Sequence, residues 1–315
     1  MLKTCKVVYD LDEATYRKAE GVSKSDLDFV HVEPELLQWR EFSPEVDLKR
    51  EALDFGDLFH KYFLQPELFK REYAVEPDTR GMIDTVDELR AECDRLGVAY
   101  KKTAPKSELI ELLKGVGSKK IKTVELDAFN NGLKDRTIVK CEDYRRVMDM
   151  GFSIQAHPIA MDLFTRAGSN EVSFFVKEEG DHCIRKCRAD RVCEEGFIVD
   201  LKTTRDVDKL QASIVDYRYY VQAAYYSDII EACTGVKREF VFVFVGTIPV
   251  LGRYPVRVGK LPEFLLEKGR EEYRHDLQVL KEYQDFGSKG VKTFEGFERF
   301  FRYNTYNNVE NGKDF

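Results

Sequence analysis

Apolar positions along the chain follow two different periods, and the places where the period switches mark out the elements. Leu53, Phe55, Leu58, Phe59, Phe63 and Leu64 recur at three- and four-residue spacing, which predicts a helix with Gly56 and His60 one turn apart. A helix is also predicted to begin within Gly21–Asp26, with Ser23 or Ser25 as its N-cap ahead of Leu27, Phe29 and Val30. Helical periodicity returns from Cys141 to Ala167, over 210–232 and over 262–285. Elsewhere the period drops to two. Val172, Phe174 and Val176 alternate with polar neighbours, as do Phe197, Val199 and Leu201, the signature of half-buried strands. Lys6–Tyr9 reads as a further short strand, followed by polar sequence. The continuous apolar run Phe240–Val245 fits a central strand buried on both faces. Together these elements predict an α/β fold, a central mixed sheet flanked by helices.

Residues 83–117 break this rhythm and read as a small inserted helical module. Thr85-Val86-Asp87-Glu88 is a capping-box pattern opening a helix through Leu89, Cys93 and Leu96. Gly97 stops it, Pro105 restarts a second helix through Leu109, Leu112 and Leu113, and Gly115 ends that one. Two such short helices bury little core of their own. The chain thus divides into 1–82, the module at 83–117, and 118–315, with the lysine-rich Ser118–Lys122 as return linker and a frayed, asparagine-rich end from Tyr303.

The length of 315 residues suits one large domain plus a small module, at roughly 150 residues per domain. An apolar fraction of 43% excludes disorder as the dominant state. No apolar run approaches the roughly 18 residues of a membrane helix, and the first residues lack a signal-peptide pattern. Seven cysteines without framework spacing point to a reducing, cytoplasmic setting. With 50 basic against 57 acidic residues the net charge is −7. That balance disfavours a simple nucleic-acid binder, but permits an enzyme that gathers carboxylates around a metal.

The segment Arg188–Lys202 carries the candidate chemistry. Gly196 suits the left-handed position of a three-residue hairpin loop, Glu194-Glu195-Gly196. That register pairs Cys193 with Phe197 and sets Asp190 opposite Asp200, two like charges that destabilise a ladder by up to ~1 kcal/mol unless something positive sits between them. Lys202 shares a face with Asp200, while Val199 and Leu201 point into the core. Two carboxylates and a nearby lysine are what metal-dependent phosphodiester hydrolysis requires, because hard cations such as Mg²⁺ take oxygen ligands and lower the pKa of a bound water. An exposed hairpin with ordinary surface charges is the bland alternative.

Ile198-Val199-Asp200-Leu201-Lys202-Thr203-Thr204 resembles the core motif of the PD-(D/E)XK nucleases, with their restriction-endonuclease-like core. Gln222-Ala223-Ala224-Tyr225-Tyr226 resembles the Q-x-x-x-Y helix motif of the RecB-type branch, and Gly56-Asp57-Leu58-Phe59-His60 its G-x-x-x-H motif. Gly21–Asp28 and Asp216–Gln222 narrow the likeness to the RecE-type phage recombination exonucleases (exodeoxyribonuclease VIII). The likeness runs over most of 21–75 and 125–300.

That resemblance implies a Mg²⁺-dependent double-strand DNA exonuclease, with Mn²⁺ able to substitute, degrading one strand 5′→3′ and leaving 3′ tails for a RecT-like single-strand annealing protein. It implies a ring-shaped homo-oligomer on duplex ends, in the host cytoplasm if phage-encoded. Asp190 and Asp200 would be metal carboxylates, the Leu201 carbonyl a further ligand, and His60 the helical histidine reaching the metal or its water. Lys202 would position the attacking water. Glu171 matches the acidic position before the first strand, and Gln222 and Tyr226, four apart on one helix face, both reach the site. Ser23, Lys24 and Ser25 open a helix that serves either terminal-phosphate capture or plain capping. Arg205 and Lys209 are candidate backbone-phosphate contacts. The alternatives are a catalytically silent DNA-binding or assembly protein on the same fold, and an endonuclease or nickase.

Two further readings concern the remaining motifs. Residues 85–113 resemble a SAP-type helix–extension–helix motif, which implies DNA contacts by Lys101, Lys102 and Lys106, with Lys119, Lys120 and Lys122 extending the basic strip. A helical hairpin that decorates the nuclease or touches another subunit is the alternative. Cys183, Cys187 and Cys193 are expected as buried thiols on the hairpin face opposite Asp190. No G-x-x-x-x-G-K-[ST] loop occurs, so this chain encodes no ATP motor.

Overall fold

The computed structural model describes residues 3–42, 50–118, 121–133 and 135–287. Its N-terminal elements are β1 (Lys3–Val8), α1 (Glu13–Lys18), α2 (Lys24–Val32), α3 (Leu36–Phe42), α4 (Arg50–Leu64), α5 (Pro66–Glu72) and β2 (Tyr73–Val75). The middle of the chain forms α6 (Val86–Leu96), α7 (Lys106–Gly115), α8 (Lys122–Asn131), β3 (Thr137–Val139), α9 (Cys141–Gln155) and α10 (Pro158–Thr165). Then follow β4 (Gly168–Glu178), β5 (Arg185–Cys193), β6 (Phe197–Thr204), α11 (Leu210–Asp216), α12 (Tyr219–Thr234), β7 (Glu239–Gly246), β8 (Val256–Gly259) and α13 (Glu263–Phe286).

The main sheet has the order β1-β4-β5-β6-β7-β8. Only β6 and β7 run parallel; the other neighbours are antiparallel. The expected mixed central sheet is therefore present. β7 shows how its two faces are filled. Phe240, Phe242 and Phe244 face one core, with the alanine-rich side of α12 (Ala223, Ala224), Tyr273 of α13 and Leu27 of α2. Val241, Val243 and Val245 face the other, with Leu58 and Phe59 of α4, Met150 of α9 and Leu163 of α10. Large side chains meet a small-residue helix on one side, and small ones meet bulky helices on the other, as close packing demands.

Several boundaries differ from the sequence reading. The helix over 210–232 is two helices, broken at Tyr217-Arg218 where Arg218 takes φ +50°. That geometry is held by ion pairs from the Arg218 guanidinium to Asp28, Glu272 and Asp276, which no local periodicity encodes. The polar stretch after β1 contains α1, capped by Asp12. β2 and β3 form a short parallel pair, and the helical module lies in the crossover between them, as parallel strands require a long connection. The module has its own core of Leu89, Cys93, Ala104, Leu109, Ile110 and Leu113. Ile121 completes that core and bridges Ile83, so the module's packing reaches Ile121, past the expected end at 117. Lys119, Lys120 and the tail from Tyr303 lie outside the described residues. The thiols also correct the expectation: Cys187 and Cys193 are both buried and free, but in the two different cores, so they do not share a face. Among the described residues no helix is long and apolar enough to cross a membrane.

Candidate active site

Each site residue is carried by an element whose local sequence fixes its direction. Gly196 takes φ +83° in the β5–β6 loop, and Arg191 pairs with Val199 and Val192 with Ile198, the register the hairpin loop predicted. Carried outward, that register sets Asp190 against Asp200. The strands part there, however, and the Leu201 N–H donates to Asp190 Oδ2 at 2.7 Å. On the far side of Asp190, β4 is interrupted at Glu171. Asn170 pairs with Arg191 and Val172 with Ala189, while Glu171 between them takes φ +54°, a strained conformation for a non-glycine residue. Glu171 therefore sits inside β4 rather than before it. Asn170 donates to the Leu64 carbonyl at 2.8 Å, which ties the end of α4 to β4. Gly56, one turn before His60, faces β6, where an added Cβ would just touch Thr203 Oγ1 at 3.4 Å.

These constraints bring His60, Glu171 and Asp190 together, with one ligand atom from each lying within 4.8 Å of the others. His60 Nδ1 is 3.8 Å from Asp190 Oδ2, and Arg188 Nε donates to Glu171 at 2.7 Å. Asp200 is not a member of this trio. Its Oδ1 accepts from Gln222 Nε2 at 2.5 Å, and Lys202 Nζ lies 2.6 Å from its Oδ2. That Oδ2 is buried without an aligned hydrogen bond. The ammonium of Lys202 also lies 5.2 Å from the Tyr219 ring centre.

The protonation states follow from burial set against charge. Burial pushes Asp200 up to about 6, with Lys202 opposing and Asp190 adding to the rise. Asp190 is raised by burial, with Lys202, the Leu201 N–H and Arg188 opposing. Burial and then repulsion from Asp190 raise Glu171. Burial, and then Lys202, hold His60 down to about 4, while the Leu201 backbone acts the other way. Burial pulls the Lys202 ammonium down, but Asp200 and Asp190 together keep it above its usual value. A divalent cation bound among these carboxylates would favour their charged form. A neutral imidazole beside them is ready to ligate without losing a proton. The donor set of one imidazole and carboxylate oxygens, with the Asp200–Lys202 pair next to it, suits a hard divalent cation.

The trio opens into a cleft of about 470 Å³ that is also lined by Ser23, Ser25, Arg17, Arg40, Lys61 and Tyr226. Ser23, not Ser25, is the N-cap of α2, in a capping box with Asp26. The other predicted contacts lie elsewhere. Lys24 is committed to the Tyr217 carbonyl and to Asp28, both at 2.7 Å. Lys106 pairs with Asp84 at 2.8 Å, which removes it from the free basic strip, and Lys122 pairs with the same carboxylate. Arg205, Lys209, Lys101 and Lys102 are exposed and outside the cleft. Arg188, which orients Glu171, was missed by the sequence reading. Its signal was available, since a residue two before Asp190 on a strand shares its face.

Residues 38–292 match the family described as a PDDEXK-like domain of unknown function (DUF3799), and the chain belongs to that family. A solved structure of a candidate exonuclease from Eubacterium rectale is similar over 90% of this chain and 89% of that one, at 13% identity and a TM-score of 0.52, a likeness of fold. The structure of SSO0001 aligns over 70% of this chain and 84% of its own at 14% identity, with a TM-score of 0.24, and carries no argument. No curated protein matches the sequence. The superfamily part of the resemblance is thus a property of the chain: it is nuclease-like in fold and family. The narrower RecE-type likeness is not part of that finding.

Proposed function

We propose that the protein is a metal-dependent double-strand DNA exonuclease. The observation that carries this reading is the convergence of His60, Glu171 and Asp190 beside the Asp200–Lys202 pair. His60, Asp190, Asp200 and Glu171 would hold the cation, Mg²⁺ by preference for oxygen donors, with the Leu201 carbonyl as a further ligand and Mn²⁺ as a substitute. Such a cation supplies Lewis-acid activation of the phosphate and of a water. Lys202, kept charged by its carboxylate neighbours, orients that water and offsets the charge growing on the phosphate. Gln222 fixes the Asp200 carboxylate in one orientation. Tyr226 and Ser25 line the cleft, where hydroxyls are suited to phosphate oxygens, while the Ser23 hydroxyl is committed to the capping box with Asp26.

The finer parts of the proposal rest on the RecE-type resemblance. They are 5′→3′ polarity, 3′ tails delivered to a single-strand annealing protein, a ring-shaped homo-oligomer on duplex ends, and a role in recombination. The experiment is to incubate linear and covalently closed circular duplex with Mg²⁺. Progressive loss of the linear form alone is the expected result. Cutting of the circle would replace the exonuclease by an endonuclease or nickase, and no loss of either would return a silent DNA-binding protein.

A further inference from the structure

The connection from β7 to β8, residues 247–255, closes at its tip on a two-residue turn with an unusual residue in it. Val250 and Arg253 exchange both backbone hydrogen bonds, at 2.7 and 3.1 Å. Leu251 and Gly252 between them take φ +49° and +77°. Positive φ at both central positions is the primed turn that Asn-Gly fills without strain, whereas leucine is strained there. Leu251 is fully exposed, and Val250 and Ile248 are about half exposed, so the tip adds nothing to either core. Its base is held firmly. Tyr254 is buried and its N–H donates to Ser153 of α9 at 3.1 Å, and the Gly246 N–H donates to Pro255 at 2.8 Å.

The hairpin is also fastened to the strand that carries the candidate chemistry. The Thr247 N–H donates to the Thr204 carbonyl at 2.8 Å, two residues past Lys202. At ~3.3 Å per residue along the strands and ~4.8 Å between them, the tip stands within about 25 Å of Lys202, little more than the width of a duplex. Arg205 and Arg253 are exposed at its foot and turn, and among the described residues no carboxylate pairs with either. An apolar point flanked by unpaired cations matches the composition of a duplex: stacked bases inside, phosphates outside.

We propose that the Val250–Arg253 hairpin is an apolar wedge. It inserts Leu251 against the terminal base pairs of a DNA duplex and unstacks them next to the cleft, while Arg205 and Arg253 contact the flanking phosphates. The proposal rests on the DNA-end reading above and deepens it, since it specifies how a paired end is opened.

The test uses the full chain and L251N. Asparagine fits the turn, so the variant should melt at the wild-type temperature or above it. Two duplexes are compared, one blunt and one with mismatched terminal pairs. The blunt-to-frayed ratio of initial cleavage rates should fall at least tenfold in L251N. Separately, 2-aminopurine in the terminal pair of a duplex, bound in EDTA, should brighten with wild type and not with L251N. An unchanged ratio together with equal brightening overturns the wedge. A lowered melting temperature overturns it too, because leucine would then be serving the fold. A changed oligomeric state with an unchanged ratio would assign the tip to contacts between copies and likewise overturn it. Brightening by wild type with no cleavage of any DNA would keep the wedge and remove the nuclease reading.

Discussion

Asp200 is where the competition between burial and pairing can be measured. It is 1% exposed, with Lys202 at 2.6 Å, and burial still wins, pushing its carboxyl up to about 6 from the usual 3.8. Without metal, the folded protein therefore holds this proton in a pH range where the unfolded chain has released it. The resulting stability is fully present below pH ~4 and is lost as pH rises through 6. At about 1.4 kcal/mol per unit, Asp200 alone shifts stability by an upper bound of ~3 kcal/mol. Asp200→Asn keeps an oxygen for Gln222 and removes the charge. In EDTA it should melt a few degrees above wild type at pH 7.5, with the difference vanishing near pH 4. Calorimetry at the two pH values checks this, and equal melting at pH 7.5 would refute it. For catalysis the expectation reverses: Asp200→Ala and Lys202→Ala should each abolish hydrolysis while the far-UV circular dichroism is unchanged. Activity within tenfold of wild type for either variant would discard the assignment.

Among the elements, α12 and α13 show how helix placement governs the site. α12 carries Gln222, and α13 crosses it at Gly269, where an added Cβ would lie 2.4 Å from the Tyr220 carbonyl oxygen and 3.0 Å from the Ala224 Cβ. Backbone cannot yield as a flexible side chain does. Gly269→Ala should therefore cost about 1–3 kcal/mol by overpacking, lowering the melting temperature by several degrees and displacing Gln222 enough to reduce turnover. Wild-type melting would show that the two helices slide apart freely. The inserted module makes a different prediction. Ile83 and Ile121 bridge each other at its neck, so a short Gly/Ser linker can replace 84–120. If the module binds DNA through Lys101 and Lys102, the replacement should keep cleavage chemistry and weaken duplex binding. It should also flatten the salt dependence by roughly 0.9 in log–log slope for each lost phosphate contact. Binding isotherms across salt, with calorimetry to confirm folding, decide between this role and a contact with another subunit.

On the scale of the whole molecule, the raised Asp190, Asp200 and Glu171 carboxyls converge where α4, β4, β5 and β6 meet. A cation that binds the folded but not the unfolded chain stabilises it by about 2.7 kcal/mol at a hundredfold excess over its Kd. Mg²⁺ or Mn²⁺ should accordingly raise the melting temperature of wild type, and Asp190→Asn should lose most of that increment. An equal increment in both would place metal binding elsewhere. The net charge of −7 is not offset by free cations at the cleft: Arg17, Arg40, Lys61 and Arg188 line or edge it, each paired with a carboxylate of Glu13, Asp26, Glu72 or Glu171, so a bound phosphate would compete with those partners.

Part of the order of elements was readable from the chain, where an element rests on short-range rules; α1, α5, β2, β3, α8 and β8 were not read from it. Period-two alternation marked β4 and β6, the apolar run marked β7, Thr85 and Glu88 marked the start of α6, and Gly196 set the β5–β6 register. That register alone brought Asp190 toward Asp200 and put Lys202 on the same face. What the chain could not declare depends on contacts far apart in sequence. The break between α11 and α12 is held by Arg218 against Asp28, Glu272 and Asp276. The membership of the site is likewise tertiary. Glu171 joins His60 and Asp190 because β4 kinks at one residue and Asn170 binds the end of α4. Asp200 instead turns to Gln222 and Lys202. Local sequence determines which way a side chain points from its own backbone; which partners it meets is decided when separate helices and strands are packed together, because packing and burial act between elements.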